Sequence, residues 1–309
     1  MLAFSDDPKV EFKNQGNPLI RHIYTADPSA RVFDGKLYLY TSHDRDDTDQ
    51  KAHFDMTDWH VFSTSNLTDW VDHGAFYSLN DIVWASKQAW APDAAQRNGK
   101  YYFYYPVEQS KIGVAASVSP TSGFKDPLGK PLIDKTGNEE LVGREPIDPA
   151  IFIDDDGQAY LYFGCRDARV VKLKDNMIEL EGEIQPVQIT GIQGFDEETE
   201  GWYGEGPWVF KRGKYYYYMY SNGWKTNSTL VYAMATKPLG PFDYVGEVMT
   251  PVGAGTSHGS ITQFEDKWYL FYHSRLLSDQ SKQRSVHLDE ISFDDDGTIV
   301  PLHYESPLF

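Results

Sequence analysis

The 309-residue sequence contains one cysteine, Cys165, so it can form neither an internal disulfide nor a cysteine-based zinc site. It has no run of about 18 to 20 apolar residues, the length that a membrane-spanning helix requires. Basic residues are outnumbered: 28 lysines and arginines stand against 46 aspartates and glutamates, for a formal net charge of −18. This charge disfavours duplex nucleic acid and anionic membrane surfaces as partners. A neutral polar ligand meets no such penalty.

The beginning of the sequence has neither the basic stretch nor the apolar stretch of a signal peptide. The sequence therefore predicts a cytoplasmic protein, or a secreted or periplasmic one if a native signal was removed. No feature of the sequence indicates an oligomeric state.

Aromatic residues make up 15% of the chain, and helical periodicity is almost absent. Five segments share one layout: a polar residue beside small residues or proline, then a short strand, a turn and an aromatic strand. About four strands in a unit of about 55 residues match the size of a propeller blade. The sequence therefore predicts an all-β fold, a five-bladed β-propeller with four-stranded blades that forms one domain over residues 1–309; a β-sandwich is the alternative. The lead residues of the five segments are Asp27, Asp93, Asp148, Glu205 and His258.

Short turns separate the paired strands of each segment. Asp34-Gly35 and Asn98-Gly99 lie between strand-like runs. Such pairs are typical of two-residue hairpin turns, which require positive φ angles at their centre. We therefore expect β-hairpins at both positions.

The lead residues occupy equivalent places in successive blades, so they are predicted to converge at one mouth of the central channel. Four of the five are carboxylic acids, which would push one another's pKa values apart. Folding gains nothing from gathering acids together, so the cluster indicates acid–base chemistry or cation binding. Taken singly, each would more often be a turn residue, a strand-start residue or a hydrogen-bonded core histidine. Only their shared position favours a functional role.

Four separated motifs resemble those of glycoside hydrolase family 43, whose members hydrolyse arabinose- and xylose-containing polysaccharides on a five-bladed propeller. The resemblance extends from about Asn17 to Ile299 and implies that this chain is a glycoside hydrolase. It implies that Asp27 is the general base, that Glu205 is the general acid, and that Asp148 orients the acid and modulates its pKa. The motifs are Tyr24-Thr25-Ala26-Asp27-Pro28-Ser29, Trp90-Ala91-Pro92-Asp93, Ile147-Asp148-Pro149-Ala150 and Gly204-Glu205-Gly206-Pro207.

The chemistry of glycoside hydrolysis is consistent with these roles, because an acid must protonate the leaving oxygen while a base activates water on the opposite face. In inverting enzymes the two carboxyl groups stand about 6.5 to 9.5 Å apart. Carboxylates on non-adjacent blades can meet that separation, so inversion is our hypothesis. We expect Asp148, as an anion, to raise the pKa of Glu205, and hydrogen-bond donors to keep Asp27 ionised. The related retaining fructosidases carry Arg-Asp-Pro where this chain has Ile147-Asp148-Pro149, which makes that alternative weaker.

Five further residues are candidates for binding substrate. The aromatic face of Trp90 could stack on a pentose ring, although a buried structural role is equally consistent, and Trp84 could line the same mouth. Arg284 resembles a family arginine that reaches the innermost sugar, with a surface salt bridge as the alternative. His258 resembles a family histidine near the axis, where a calcium ion held through water could bind; no cofactor is expected to be required. Asp93 is predicted to bind substrate hydroxyls or to brace its blade.

Two acidic stretches, residues 43–49 and 194–200, are predicted to wall off one end of the cleft, which would favour action on chain ends. The first could also bind a metal ion, although a solvated loop is the commoner explanation. The sequence ends at Phe309 without the C-terminal β-sandwich of one xylosidase type in the family. That difference favours arabinofuranosidase or dual activity.

These features together predict an exo-acting glycosidase that removes α-L-arabinofuranose or β-D-xylose from plant arabinan and arabinoxylan oligosaccharides. A neutral oligosaccharide is its expected partner. The alternatives are an endo-α-1,5-arabinanase, which needs an open groove, and a non-catalytic sugar-binding propeller, which needs no acid opposite a base.

Overall fold

Twenty-one β-strands make up most of the regular structure in the computed structural model, which describes residues 9–51, 53–192, 202–223 and 228–304. They form five small sheets, and most paired strands follow one another directly in sequence. Two short helical segments lie in loops: a 3-10 helix at Leu79–Asp81 and the helix α1 at Glu139–Val142. No helix in the described ranges is long and apolar enough to cross a membrane.

Within each sheet, hydrogen bonds connect the strands in order from the innermost strand outwards. The first sheet contains β2 (Thr25–Phe33), β3 (Lys36–His43), β4 (Asp58–Thr64), β5 (Asp69–Ser78) and β1 (Val10–Lys13). The second contains β6 (Asp93–Arg97), β7 (Lys100–Val107), β8 (Lys111–Ser117) and β9 (Ile133–Asp134). The third contains β10 (Ala150–Ile153), β11 (Ala159–Phe163), β12 (Arg169–Leu173) and β13 (Leu180–Pro186).

The fourth and fifth sheets complete the set, with five and three strands. The fourth contains β15 (Glu205–Arg212), β16 (Tyr215–Ser221), β17 (Leu230–Ala235), β18 (Phe242–Glu247) and β14 (Ile189–Thr190), and β14 pairs parallel to β18. The fifth contains β19 (Gly259–Phe264), β20 (Lys267–Ser274) and β21 (Ser285–Ile291).

The innermost strands contact one another in a closed ring, in the order β2, β6, β10, β15 and β19, and β19 contacts β2 again. The five-bladed β-propeller predicted from the sequence is thereby confirmed. The blades have three to five strands among the described residues, because β1 and β14 add an outer strand to the first and fourth blades. The hairpin predictions are also confirmed, since Asp34, Gly35, Asn98 and Gly99 all have positive φ angles.

The ring is closed by the segment that precedes β2, which runs beside the outer strand of the fifth blade. The Leu19 amide donates to the Val286 carbonyl at 2.7 Å, and the Thr25 amide donates to the Arg284 carbonyl at 2.9 Å. These bonds satisfy the carbonyls of Val286 in β21 and of Arg284 just before it, which a three-stranded sheet would leave at an open edge. The first and last blades are therefore joined through the backbone as well as through their side chains.

The hydrophobic core is divided into five clusters, and each cluster fills the space between two neighbouring blades. Strand β7 shows why its sequence is aromatic on both faces. Phe103 and Tyr105 pack towards the first blade, whereas Tyr102 and Tyr104 pack towards the third, because successive side chains of a strand point in opposite directions. An inner strand of a propeller is covered on both sides, which accounts for the high aromatic content.

Candidate active site

A cavity of about 490 Å³ lies where the innermost strands begin, and it brings together the three carboxylic acids singled out in the sequence. Asp27 is near the start of β2, Asp148 comes two residues before β10, and Glu205 is the first residue of β15. Its lining consists of Asp27, Lys51, His53, Phe54, Met56, Trp90, Ala91, Gln109, Glu145, Ile147, Asp148, Cys165, Arg166, Glu205, Gly255, Thr256, His258, Ser281, Lys282 and Arg284.

The backbone takes the same unusual conformation at three places around this cavity. Asp27, Asp148 and Gly206 have φ angles of 52°, 53° and 67°, and a proline follows each of them. Positive φ is uncommon for residues other than glycine, although aspartate tolerates it better than most. The ladders of β2 and β15 are irregular at these positions, and such bulges redirect side chains next to active sites. The strain thus coincides with the predicted catalytic residues.

Asp27 is held by a set of hydrogen-bond donors and one full positive charge. Arg284 donates from Nη1 to Oδ1 at 2.9 Å, and the Ser42 hydroxyl donates to Oδ2 at 2.5 Å. Burial alone would raise the pKa of Asp27, but Arg284, His273, His258 and the Ser42 hydroxyl outweigh it and lower the pKa to about 2. Asp27 is therefore ionised at any pH well above 2.

His273 occupies a single tautomer that follows from its hydrogen bonds. Its Nδ1 accepts the Asp27 amide hydrogen at 3.0 Å, and its Nε2 lies 3.0 Å from the Thr256 carbonyl, which can only accept. The proton therefore sits on Nε2. Burial lowers the pKa of His273 to about 3, with a further contribution from the Arg284 charge, so the ring is neutral near pH 7. Arg284 is consequently the full cation beside Asp27.

Glu205 and Asp148 have the opposite electrostatic environment. Burial, Asp27 and Glu145 raise the pKa of Glu205 to about 7, against smaller lowering effects of Cys165 and Arg284. Burial, Glu205 and Asp27 raise the pKa of Asp148 well above its usual range, although Asp148 Oδ2 accepts the Gly206 amide hydrogen at 3.0 Å. Because each carboxylate disfavours ionisation of the other, the pair retains a proton near neutral pH.

The origin of the raised pKa of Glu205 differs in part from the expectation. An anionic Asp148 was the expected cause, whereas burial, Asp27 and Glu145 are the principal causes in the structure. The repulsion between Glu205 and Asp148 is expressed as a raised pKa of Asp148. Glu145, three residues before Asp148 in the sequence, was not identified beforehand.

The glycines beside Glu205 are required by close contacts. A Cβ atom on Gly204 would lie 2.6 Å from the backbone nitrogen of Gly223 and 2.8 Å from the Ser221 carbonyl. A Cβ atom on Gly206 would lie 3.3 Å from the ring of His258, at a φ angle that disfavours side chains. The backbone on both sides of Glu205 therefore packs so closely against its neighbours that only glycine fits at positions 204 and 206.

Three of the five predicted substrate-binding residues line the cavity: Trp90, His258 and Arg284. One face of Trp90 stacks on His53 with ring centroids 5.2 Å apart, so a sugar could stack only on the remaining face. The Trp90 indole donates to the Phe54 carbonyl at 3.1 Å, which fixes its orientation. Both roles considered for Trp90, cavity lining and structural packing, are consistent with this position.

Arg284 is buried, and its salt bridges are internal rather than on the surface. Its guanidinium pairs with both oxygens of Asp44 at 2.8 Å, besides Asp27. The remaining donors contact the Thr256 hydroxyl at 2.9 Å and the Met56 sulfur at 3.6 Å. All five N–H groups of the guanidinium therefore have acceptors. A direct contact between Arg284 and a sugar would have to replace or share one of these bonds.

Asp93 lies outside the cavity lining, so the prediction that it binds substrate hydroxyls is not supported by its position. Its carboxylate receives two hydrogen bonds from Arg31 and one from the Ser29 hydroxyl at 2.6 Å. The backbone amides of Ala94 and Ile151 donate to it as well. Asp93 thus links the first three blades, which is the bracing role considered as its alternative. Burial without access to the cavity is the physical reason for the difference.

Trp84 is also outside the cavity lining, in contrast to the prediction. Its indole donates to Asp126 Oδ2 at 2.7 Å, and its ring stacks on Tyr105 with centroids 6.1 Å apart. The side chain is therefore part of the packing between the first and second blades.

Within the acidic stretch 43–49, interpreted from the sequence as a solvated loop, Asp44 is buried, whereas Asp46, Asp47 and Asp49 are exposed. Asp44 is 1% exposed, and it accepts the backbone amide hydrogen of Arg284 as well as two guanidinium hydrogen bonds. The signal that could have found it is strand alternation, because Ser42 and Asp44 lie on the same face of the chain at the end of β3. The second acidic stretch, residues 194–200, lies outside the described residues.

His258 offers one imidazole to a cation at the axis. Its Nδ1 lies 3.8 Å from Asp27 Oδ1, and burial lowers its pKa, so the neutral ring could act as a ligand. No described group of three or more metal-ligating side chains includes His258. Because calcium prefers six to eight oxygen ligands, this donor set fits a cation only if water supplies most of its coordination shell.

A five-bladed propeller whose cavity holds an ionised carboxylate together with a carboxyl pair that retains a proton defines a glycoside hydrolase type of site. The chain belongs to glycosyl hydrolases family 43, since the model of that family matches residues 15–299. It is therefore a glycoside hydrolase, and the resemblance stated from the sequence motifs is confirmed.

Individual relatives cover nearly the whole chain. A xylosidase/arabinosidase 43A of Humicola insolens is 38% identical over 92% of this chain and 98% of its own length. A family 43 β-xylosidase/α-arabinofuranosidase from a compost microbial metagenome, solved with xylotriose in a calcium-free form, has a TM-score of 0.83 and 37% identity, and the match covers 95% of this chain and 99% of that one. A family 43 enzyme of Xanthomonas citri, solved with xylose, has a TM-score of 0.83 and 36% identity over 94% of both chains.

Proposed function

We propose that this chain is an inverting exo-glycosidase that releases terminal α-L-arabinofuranose, β-D-xylose or both from arabinan and arabinoxylan oligosaccharides. Asp27 is the general base, Glu205 is the general acid, and Asp148 positions the acid and shares its proton. The observation that carries the proposal is the separation of pKa values within one cavity, about 2 for Asp27 and about 7 for Glu205. Acid–base hydrolysis requires one group of each kind at the same pH.

In the proposed reaction, Asp27 accepts a proton from water as that water attacks the anomeric carbon, and Glu205 donates its proton to the leaving oxygen. The bond from the anomeric carbon to that oxygen breaks as the bond to water forms. Arg284 and Ser42 hold the Asp27 carboxylate in place through both of its oxygens. The Gly206 amide holds Asp148 beside the acid. The donors around Asp27 thus position the base, while the anions near Glu205 keep the acid protonated.

The choice of pentose as substrate rests on the relatives, several of which are named for xylosidase and arabinosidase activity. Two solved neighbours contain xylotriose or xylose, which supports a neutral oligosaccharide as substrate. The cavity of about 490 Å³ is within the usual range of small-molecule sites. A terminal pentose with part of the adjoining chain is the ligand we assign to it.

A panel of nitrophenyl pentosides and arabino- and xylo-oligosaccharides tests the proposal, together with Glu205→Gln. Because a natural sugar is a poor leaving group, this variant should lose about 10²- to 10⁴-fold in kcat on xylobiose and much less on a nitrophenyl pentoside. Glu108→Gln is a matched control, since Glu108 pairs with Lys111 and does not line the cavity.

Three results would contradict parts of this proposal. Equal losses on good and poor leaving groups would remove the acid role of Glu205. Retained anomeric configuration in the first-formed sugar, observed by NMR, would exclude inversion. Mixed oligosaccharide products would indicate an endo-arabinanase, and binding without turnover would indicate a sugar-binding propeller.

We also propose that calcium, when this chain binds it, lies beside His258 and is held mainly by water. The supporting observation is the neutral, buried imidazole near the Asp27 carboxylate. Isothermal titration with calcium should then show weak binding that is lost in His258→Gln. Equal binding by that variant would place the ion elsewhere.

A further inference from the structure

A second group of polar side chains lies in the first blade and has no part in the proposed hydrolysis. His43 is the last residue of β3, Asp58 is the first residue of the neighbouring strand β4, and His60 follows two residues later. Each offers one ligand atom, and these atoms all lie within 4.8 Å of one another. This is the one group of three or more metal-ligating side chains found among the described residues.

One distance within the group equals the separation between ligands of a four-coordinate metal, and a second is a hydrogen bond that metal binding would lengthen. His43 Nδ1 lies 2.8 Å from Asp58 Oδ1, and His60 Nε2 lies 3.4 Å from the same oxygen. Zinc bonds of about 2.0 to 2.2 Å to nitrogen and oxygen in a tetrahedron separate neighbouring ligands by about 3.4 Å. Small rotations of the side chains would therefore bring all three atoms onto one ion.

The groups around the three side chains are positioned like those that hydrogen-bond to metal ligands and orient them in other proteins. The Thr57 hydroxyl donates to the second oxygen of Asp58 at 2.9 Å. His60 Nδ1 is buried without a hydrogen-bond partner and lies 3.6 Å from Asp72 Oδ1. Asp72 is itself held by His22 at 2.8 Å. A histidine that binds metal through one nitrogen commonly donates the other N–H to a carboxylate, and the unpartnered Nδ1 is positioned for this role.

The charges of the group also favour a bound cation. Two carboxylates flank the ring of His60, because Asp58 Oδ1 lies 3.4 Å from Nε2 and Asp72 Oδ1 lies 3.6 Å from Nδ1. A divalent ion bound to His60 Nε2 would therefore lie close to two carboxylates. The side chains of His43, Asp58 and His60 are 23%, 19% and 12% exposed, which leaves a path from solvent.

We propose that His43, Asp58 and His60 form a binding site for a divalent transition-metal ion of the zinc type, with water as the fourth ligand. Two imidazoles and one carboxylate suit zinc or cobalt better than calcium or magnesium, which prefer oxygen. The site is structural. It joins the end of β3 to the start of β4. On the other face of the chain at this place, Ser42 hydrogen-bonds to Asp27 and Asp44 pairs with Arg284.

Anomalous diffraction provides a test that needs no variant. The full chain is treated with chelator, crystallised, and soaked in zinc chloride, and data are collected near the zinc absorption edge. We expect a peak about 2.0 to 2.2 Å from one atom of each of the three side chains. The absence of a peak there, or peaks confined to other places such as the neighbourhood of His258, would overturn the proposal.

Cobalt binding in solution gives a second test with matched variants. The visible absorption of Co²⁺ should show a tetrahedral site, and His43→Gln and His60→Gln should each weaken binding at least tenfold, as judged by titration. His73→Gln is the control, because His73 lies in the same blade and bonds to Ser63 outside the group. Melting temperatures of the metal-free variants verify that they are folded. Unchanged cobalt affinity in both ligand variants, or loss of binding only in His258→Gln, would contradict the assignment.

Discussion

Asp27 and Glu205 line the same cavity, yet their pKa values move in opposite directions, to about 2 and about 7. Burial raises the pKa of both residues. The difference comes from their partners: Asp27 has the Arg284 guanidinium and the Ser42 hydroxyl, whereas the strongest charges acting on Glu205 are anions. Two carboxyl groups in one cavity can therefore serve as base and acid at one pH, because their neighbours rather than their own chemistry determine their charge.

Removal of the proposed base, Asp27, should have the largest effect of all the variants considered. Asp27→Asn keeps the shape of the side chain but cannot accept a proton, so kcat should fall about 10³- to 10⁴-fold on every substrate, whatever its leaving group. Steady-state kinetics on xylobiose and on nitrophenyl pentosides measure this. A loss confined to the natural sugar would mean that the Asp27 side of the cavity also serves the leaving group.

The same two residues should have opposite effects on stability. The folded protein binds the Glu205 proton more tightly than the unfolded chain, so stability is lost as pH rises from 4.5 towards about 7. Glu205→Gln should therefore be more stable than the wild type at pH 8, by about 3 kcal/mol at most, and equally stable at pH 4. Solvent in the cavity reduces the gain.

Asp27 provides the opposite case, because its folded pKa lies below its ordinary value of 3.8. Its stabilisation is present above pH 3.8 and is lost as pH falls towards about 2. Asp27→Asn should thus be less stable than the wild type at pH 7, by about 2 kcal/mol. Denaturant unfolding at several pH values measures both variants. Stability changes of the same sign in the two variants at pH 8 would contradict the electrostatic contrast.

Arg284→Gln removes the positive charge that distinguishes the surroundings of Asp27 from those of Glu205. Without the guanidinium, burial should raise the pKa of Asp27, so an acidic limb should enter the pH profile of kcat/KM and reduce activity about tenfold or more at pH 5. Arg31→Gln is the matched control, since Arg31 pairs with the buried Asp93 outside the cavity. It should reduce stability but should not introduce an acidic limb. Identical pH profiles for both variants would show that Arg284 does not control the base.

Glu145→Gln should have the smallest effect of these variants, and it should change only the pKa of Glu205. Removing one negative charge near Glu205 lowers the pKa of the acid, so the alkaline limb of the pH profile should move to lower pH by less than about one unit. Glu108→Gln should leave that limb unchanged because its carboxylate pairs with Lys111 away from the cavity. A shift to higher pH in Glu145→Gln would reverse the sign of the proposed interaction.

The structure agrees with the sequence-based predictions where a repeated pattern carried them. Lead residues at a regular spacing predicted both the five blades and the meeting of Asp27, Asp148 and Glu205 at one cavity. The same regularity gave a wrong expectation for Asp93. An equivalent position in the repeat predicts that a residue lies near the propeller axis, but it does not predict whether the side chain faces the cavity. Asp93 instead accepts hydrogen bonds from Arg31 and Ser29 within the ring.

The residues that sequence reasoning missed are those that act by contact between distant segments. Asp44 looked like part of a solvated acidic run, but Arg284, 240 positions later, buries it with a bidentate ion pair. His273 and Glu145 carry no motif of their own, and they matter only because folding places them beside Asp27 and near Glu205. Strand alternation with Ser42 could have indicated which way Asp44 faces, but no local pattern identifies the distant partner of any of these residues.

Sequence alone determined the blade count, the hairpin turns and which three carboxylic acids meet in the cavity, because these follow from short-range periodicity, turn chemistry and motif order. Tertiary structure decided which acid is ionised and which retains a proton, since that depends on charges brought within a few ångströms by closure of the ring. It also decided that Asp93 and Trp84 support the framework, because burial and hydrogen bonding are properties of the assembled blades.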